Sequence, residues 1–393
     1  MQLLILHNAI EESATAADLD VLVQVEAVSD ALRLGGGTVE TLPVTLNLEA
    51  LRAAVASVRP DVAFNLVESL AGCDRLAPLA PALLEVLNCP YTGSPADALF
   101  LLCDKVRAKE RLCWAGLPTP EWFVHAGMSR SSGLRFPDSE PCGARVNPAA
   151  ETAGTTHPTA ADSPTSPQQY IIKPIHDHAS FGIHADSIIS VGDEDAVHEA
   201  LAEREERLGR VCFAERFIDG REFNLSILAG PRGPEVLPAA EILFVDFPAG
   251  EPRIVNYEAK WEPESFVYRN TPRRFDFPDS DRALLVELAE LTEACWHLFG
   301  LRGYARVDFR VGLDGRPWIL EINANPCLSP DAGFAAAVDR AGYSFRDAAD
   351  RIVADALGEY RHLPAAVRTR RPPPAHWPPD FDNIAGLRRA DAR

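Results

Sequence analysis

Apolar and polar positions along the chain follow a few distinct rhythms. Gln2 to Leu6 is a short apolar run that stops at His7-Asn8, as a buried strand does, and Leu19, Leu22, Val25, Val28 and Leu32 recur at helical spacing through Ala17 to Arg33. Gly35-Gly36-Gly37 follows this helix, so it is placed to stop it and not to open a phosphate loop. A second apolar run completes a β-α-β opening. Asp61 to Val67 reads as a further buried strand, and Pro78 to Leu87 as a helix, with a first domain closing near Gly93. Ser94-Pro95-Ala96-Asp97 supplies an N-cap, a proline at the first helical position and an acid three residues after the cap. The helix it opens is expected to run to Gly116 on a stripe of Leu99, Leu102, Val106 and Leu112, leaving Lys105 and Lys109 one turn apart on a shared flank.

After a short strand at Trp122 to Val124, Ala126 to Gln169 is dominated by Pro, Ser, Thr, Ala and Gly and reads as a surface insertion with little regular structure. A strand at Tyr170 to Lys173, a turn-rich stretch at Asp177 to Gly182 and a charged helix at Asp193 to Leu208 come next. A helix at Asp281 to Phe299, stopped by Gly300, and a last helix at Phe345 to Leu357 follow. From Arg361 onward prolines and arginines replace any apolar period, as in a disordered tail. The organisation expected is therefore 1–93, 94–210 with the insertion at 126–169, 211–360, and a tail at 361–393.

Length agrees: 393 residues make two or three domains at roughly 100 to 200 residues each. The 38 basic residues against 57 acidic ones give a net charge of -19, which argues against nucleic acid or an acidic membrane surface as partner. The eight cysteines include no C-x-x-C pair and fall mostly in apolar stretches, as buried thiols do in a reducing compartment, so the cytoplasm is the expected location. No stretch approaches the roughly 18 apolar residues of a membrane span. Lysine occurs only at positions 105, 109, 173 and 260; every other basic residue is arginine. A compact ammonium retained at few places suits phosphate binding, and base composition accounts for the count as well.

Two stretches carry candidate chemistry. Gly303 to Val311 and Pro317 to Asn323 read as strands joined at Asp314-Gly315. With a two-residue turn, Asp308 faces Glu321 and Arg306 faces Asn323, all on one sheet face, while Ala305, Val307, Phe309, Leu320 and Ile322 face inward. Opposed carboxylates repel unless a proton or cation lies between them, and the oxygen ligands Asp308, Glu321 and Asn323 suit Mg²⁺. The second stretch, Val211 to Leu225, reads as a hairpin turning at Asp219-Gly220, with Phe217 opposite Glu222 and Glu215 opposite Asn224. One face then offers an aromatic ring and two acids, suitable for a purine and ribose hydroxyls, as well as for an ordinary amphipathic hairpin. His176-Asp177-His178 with His184 lacks cysteines placed to complete a zinc site. Ser180 and Gly182 make the same loop suitable for covering a phosphate after Lys173.

Nine motifs then fall in a familiar order and spacing: Phe64-Asn65-Leu66-Val67-Glu68, Pro90-Tyr91-Thr92-Gly93-Ser94, Asp104-Lys105, Gly116-Leu117-Pro118-Thr119-Pro120, Ile172-Lys173-Pro174, Glu215 with Gly220-Arg221-Glu222, Tyr257-Glu258-Ala259-Lys260, Arg306-Val307-Asp308 and Glu321-Ile322-Asn323. Together they resemble the D-alanine-D-alanine ligases of the ATP-grasp superfamily, over roughly Met1 to Leu357. The resemblance implies an α/β (α+β) ATP-grasp fold behind an N-terminal Rossmann-like domain, with ATP between two antiparallel sheets. By matched position it implies Lys105 and Lys173 on ATP phosphates, Glu215, Phe217 and Ile218 on the adenine, and Glu222 on the ribose. Ser180 falls in the loop after the ATP lysine and Lys260 on a lid near the γ-phosphate. Asp308, Glu321 and Asn323 would hold Mg²⁺ or Mn²⁺, and Arg306 would stabilise an oxyanion.

The activity so implied is ATP-dependent joining of a carboxylate to an amine through an acyl phosphate, with amino-acid or other small carboxylate substrates and a homodimer left open. Phosphorylation, thioester formation or nucleotide binding without turnover remain alternative outcomes of the same apparatus. The departures concern substrate. Ala179, followed by Ser180, stands where family members have a serine, Trp261 replaces the lid tyrosine, Glu68-Ser69 replaces His-Gly, and Cys327 replaces a tight glycine. Glu12, with Glu11 as the alternative register, matches the glutamate that fixes the first substrate.

Overall fold

The computed structural model describes residues 1–11, 14–124 and 168–362, with side chains described as far as residue 358. The chain opens with β1 (Gln2–Asn8), α1 (Ala16–Leu34), β2 (Thr38–Val44), α2 (Leu48–Val58) and β3 (Val62–Leu66), whose strands form a parallel sheet in the order β2-β1-β3. Central β1 is apolar without alternation because both of its faces are covered. Leu3 and Ile5 pack among side chains of α1 and of the last helix, α11 (Phe345–His362), while Leu4 and Leu6 pack toward α2 and α3 (Leu79–Val86). Thr15 and Asp18 cap α1 reciprocally and Gly35 ends it, as the triple glycine predicts. Gly37 also permits a close approach, since a Cβ there would lie 2.6 Å from Leu3 Cδ1.

The helix expected from Ser94 to Gly116 is two helices, α4 (Ala96–Leu102) and α5 (Lys105–Trp114), and the residue capping α4 is Pro95. Asp104 makes the break. Its carboxylate accepts from the backbone N–H groups of Val106 and Arg107 at 3.1 and 3.0 Å, and Lys105 N turns away to Ile175 O.

A second sheet is antiparallel, β4 (Trp122–Val124), β5 (Gln168–Pro174), β6 (Ile188–Val191) and β7 (Cys212–Arg216) in the order β4-β7-β5-β6, with α6 (Glu194–Leu208) packed on it. Gln168 and Gln169, assigned above to the insertion, belong to β5; positions 126–167 of that segment lie outside the described residues. So does the tail from 363, while α11 takes in Arg361 and His362.

The third sheet runs β11 (Arg273–Arg274), β10 (Ala240–Ile242), β8 (Gly220–Leu228), β12 (Tyr304–Gly312), β13 (Pro317–Asn323), with β9 (Glu235–Val236) also on β8. Phe223, Leu225, Val307 and Phe309 bury its inner face in one cluster with Leu288, Cys295 and Phe299 of α9 (Arg282–Phe299). Three short helices, α7 (Tyr257–Trp261), α8 (Phe266–Arg269) and α10 (Gly333–Arg340), have too few turns to show a period in the sequence. Among the described residues no helix is long and apolar enough to cross a membrane.

Two strand expectations need correction. The Val211–Leu225 hairpin does not form: β7 pairs within the second sheet and β8 within the third, so Glu215 does not face Asn224, nor Phe217 Glu222. Asn224 faces Asp308 instead. Gly220 is where the chain enters its new sheet, at φ +148°, with a Cβ position only 2.0 Å from Val311 O. The second correction lies within β12 and β13. Their loop has three residues, Leu313 to Gly315, closed by Gly312 N donating to Arg316 O at 3.0 Å, and Leu320 is an extra residue in a bulge. The two irregularities cancel, so Asp308 opposes Glu321 and Arg306 opposes Asn323, as counted. Ile319, fully buried, takes the inward place expected for Leu320, which is half-buried beside Glu321.

Candidate active site

The facing sheets bring together cations supplied by separate elements. Lys105, on the first turn of α5, donates to Asp177 O at 2.6 Å and lies 3.6 Å from Glu321 Oε1. Lys173, on β5, donates to Glu215 Oε1 at 2.6 Å. Lys260 lies on α7, where burial above all, and then the charge of Arg306, lower its pKa. Arg306 itself is raised: burial opposes its charge, but the Asp308 carboxylate outweighs that.

On β12 and β13 the acids are already engaged. Asp308 accepts from Arg306 Nε and Nη2 at 2.7 and 2.9 Å, from Asn224 Nδ2 at 2.8 Å and from Asn323 Nδ2 at 3.0 Å. Glu321 lies within 3.4 Å of His178 Nδ1. Burial would push its carboxyl up, yet Lys105 and His178 hold it well below the usual carboxylate range. His178 is pushed up to about 9: burial and the Lys105 charge oppose protonation, while its contacts with Cys103 and Glu321 favour it more strongly. Each of the opposed carboxylates is thus paired with cations of its own. Among the described residues no three His, Cys, Asp or Glu side chains converge on a metal position. Asp308, Glu321 and the carbonyl oxygen of Asn323 form an all-oxygen set that fits Mg²⁺ or Mn²⁺.

At the other end of the site, Glu215 is buried at 1% exposure, with Phe217 and Ile218 half-buried on the crossing between sheets. Glu222 pairs with Arg310 at 2.9 Å; burial, more than any charge near it, raises its pKa. Arg310 also lies over the Phe217 ring at 5.7 Å. Lys109, not assigned to the site from sequence, is 1% exposed and ion-paired to Glu215 at 2.5 Å. Its spacing from Lys105 and the rarity of lysine were the available signals. Asn224 and Arg310 gave no comparable signal.

The loop after Lys173 is tied to the α7 segment. Ser180 Oγ donates to Val255 O at 3.0 Å, Trp261 Nε1 to Ala179 O at 3.1 Å, and Tyr257 N to Ile183 O at 3.3 Å. Ala179 and Ser180 both take left-handed backbone, φ 57° and 61°. Of the other loop histidines, His176 Nδ1 contacts Cys103 O at 3.0 Å, and the His184 backbone N–H donates to Ser187 Oγ.

A polar group lies where the first sheet meets the third. Gln24 Nε2 donates to Glu68 Oε1 at 2.9 Å and Asp20 Oδ2 at 3.1 Å, and Asp20 accepts from Cys327 Sγ and Ser329 Oγ at 3.0 and 2.7 Å. Glu12 lies outside the described residues; Glu11 is exposed.

Residues 165–354 match the family described as D-ala D-ala ligase C-terminus. The D-alanine–D-alanine ligase of Moorella thermoacetica is 30% identical over 331 residues, covering 83% of this chain and 92% of that protein. The enzyme of that name from Synechococcus sp. strain JA-3-3Ab is 31% identical over 293 residues, covering 74% and 76%. The crystal structure of D-alanine–D-alanine ligase from Bacillus anthracis complexed with ATP superposes with a TM-score of 0.60 at 21% identity, covering 92% of this chain and 99% of that one, and so shares the fold. Fold and relatives define an ATP-grasp ligase. The chain belongs to the D-alanine–D-alanine ligase family.

Proposed function

We propose that the protein is an ATP- and Mg²⁺-dependent carboxylate–amine ligase whose first substrate is larger or less polar than D-alanine. The observation that carries this reading is the set of cations Lys105, Lys260 and Arg306, gathered from three elements around Asp308 and Glu321, with Lys173 from a fourth on Glu215. In this reading the chain's first 93 residues form one wall of the substrate pocket, residues 94–210 and 211–360 enclose the nucleotide, and the enzyme works in the cytoplasm.

A carboxylate is a poor electrophile and is activated by taking the γ-phosphoryl group of ATP, with release of ADP. Lys105, Lys173 and Lys260 offset phosphate charge during that transfer. Glu215, Phe217 and Ile218 hold the base and Glu222 the ribose. Asp308, Glu321 and Asn323 would hold the metal, which when bound would neutralise phosphate charge. The amine then attacks the acyl phosphate, Arg306 stabilises the negative oxygen of the tetrahedral adduct, and phosphate departs as the amide forms. Ser180 and Trp261 keep the loop and the α7 lid together, which excludes water from a group that hydrolyses readily.

The test is a phosphate-release screen over pairs of amino acids with MgATP, followed by product mass. A condensed product is expected from one or more pairs containing a bulky first partner. Glu321→Ala should abolish phosphate release while leaving a cooperative unfolding transition; full turnover by that variant would refute the metal assignment.

A further inference from the structure

We propose that Lys109 is a positioning residue that keeps Glu215 paired so that Lys173 is free to leave it for a nucleotide phosphate, an inference that rests on the ATP-site reading above. Glu215 and Lys109 are each 1% exposed. Lys109 Nζ lies among Glu215 Oε2 at 2.5 Å, Thr119 Oγ1 at 2.7 Å and Pro120 O at 3.4 Å, with the Trp122 ring 5.8 Å away. Thr119 in turn donates to Ile319 O at 3.0 Å, so this ammonium is fixed between the two sheets. Lys173 is the more accessible partner, its side chain 13% exposed, and its hydrogen bond is to Glu215 Oε1.

One buried carboxylate therefore carries two ammonium groups, a surplus of one positive charge. A carboxylate left alone in such a place is unfavourable by far more than either pairing alone is favourable. If Lys109 were absent, Lys173 moving to a phosphate would strand Glu215, so Lys173 would be held back. With Lys109 in place the move leaves Glu215 paired, and the surplus charge goes to the polyanion. The lysines hold the Glu215 pKa low against its burial, which fits a carboxylate that stays ionised throughout.

The experiment measures KM for ATP, kcat, and the rise in Tm on adding MgATP, in the full chain, for wild type, Lys109→Met, Glu215→Gln and Lys109→Met/Glu215→Gln. Lys109→Met should raise KM for ATP about tenfold or more and reduce the nucleotide-induced Tm shift, with kcat at saturating ATP within about threefold. The double variant, which removes the stranded charge, should lower KM again by about threefold or more relative to the single one. An unchanged KM in Lys109→Met, or a double variant no better than the single, overturns the proposal. If the single variant does not fold, the double one is compared with Glu215→Gln, in which no charge is left to strand: a KM for ATP within about threefold of that variant supports the proposal and a further rise of about tenfold or more overturns it. Wild-type protein that shows no ATP binding defeats the ATP-site reading itself, and this inference with it. Wild-type binding alongside an insensitive Lys109→Met defeats this inference alone.

Discussion

Glu68, two residues beyond β3, has its carboxyl pushed up to about 7, chiefly by burial and further by Asp20 and Asp74, against the hydrogen bond from Gln24. An acid whose folded pKa is raised binds its proton more tightly in the native state. Stability should therefore fall as pH rises from the ordinary value of 4.5 to about 7 and stay lower above it. Glu68→Gln, uncharged throughout, should match wild type at pH 5 and exceed it by about 2 kcal/mol at pH 8 in urea unfolding. A difference independent of pH would contradict this. At Trp261 the consequence is for substrate. Its only polar hydrogen is committed to Ala179 O, and the Ser180 hydroxyl to Val255 O, so neither stands in for the serine and tyrosine hydroxyls that the resemblance implies at these positions. D-Alanine should be a poor first substrate, by roughly 5- to 150-fold for each buried polar group left unpaired. Trp261→Tyr with Ala179→Ser should shift preference toward small amino acids in competition assays. Efficient D-alanyl-D-alanine synthesis by the unmodified protein would overturn that expectation.

Individual elements were legible in the sequence when a period or a cap was complete within them. β1, α1, α6 and α9 lie where expected because each carries its own apolar rhythm and its own stop, Gly35 and Gly300 among them. The break at Asp104 was hidden, since an aspartate reads equally well as a helical residue or as a cap until Val106 and Arg107 are seen donating to it. Asp219-Gly220 was misread for a related reason. A tight turn and a crossing between sheets ask for the same residues, and only β12, far along the chain, decides between them. The facing of Asp308 and Glu321 was legible only because the longer loop and the Leu320 bulge offset each other. Gly220 supplies a test at this scale. An alanine there meets a disfavoured φ and the Val311 carbonyl together, and should destabilise the chain by on the order of 2 kcal/mol or more. Thermal melts of Gly220→Ala and wild type check this, and an unchanged Tm would refute it.

Across the whole molecule, the second and third sheets are joined in two different ways. At one end are the three covalent residues Phe217 to Asp219 and the strap made by Ile319 N to Pro118 O and Thr119 Oγ1 to Ile319 O. At the other, among the described residues, are the hydrogen bonds between the loop after Lys173 and the α7 segment and the contact of His178 with Glu321. Ser180→Ala removes one of these. It should raise the ratio of phosphate released to amide formed by about two- to tenfold, as water reaches the activated carboxyl group. Equal stoichiometry in both proteins would refute that role for the hydroxyl. The asymmetry of these joints also fixes how the cleft is able to move. Like a book bound along one edge, it would open widest far from the spine, and Phe217 and Ile218 are on the spine. In the proposed reading, a base seated against them would keep its surroundings if the cleft opened, whereas the phosphate end would lose Ser180, Trp261 and Lys260 together. In that reading the phosphate end of a bound nucleotide would come loose ahead of its base.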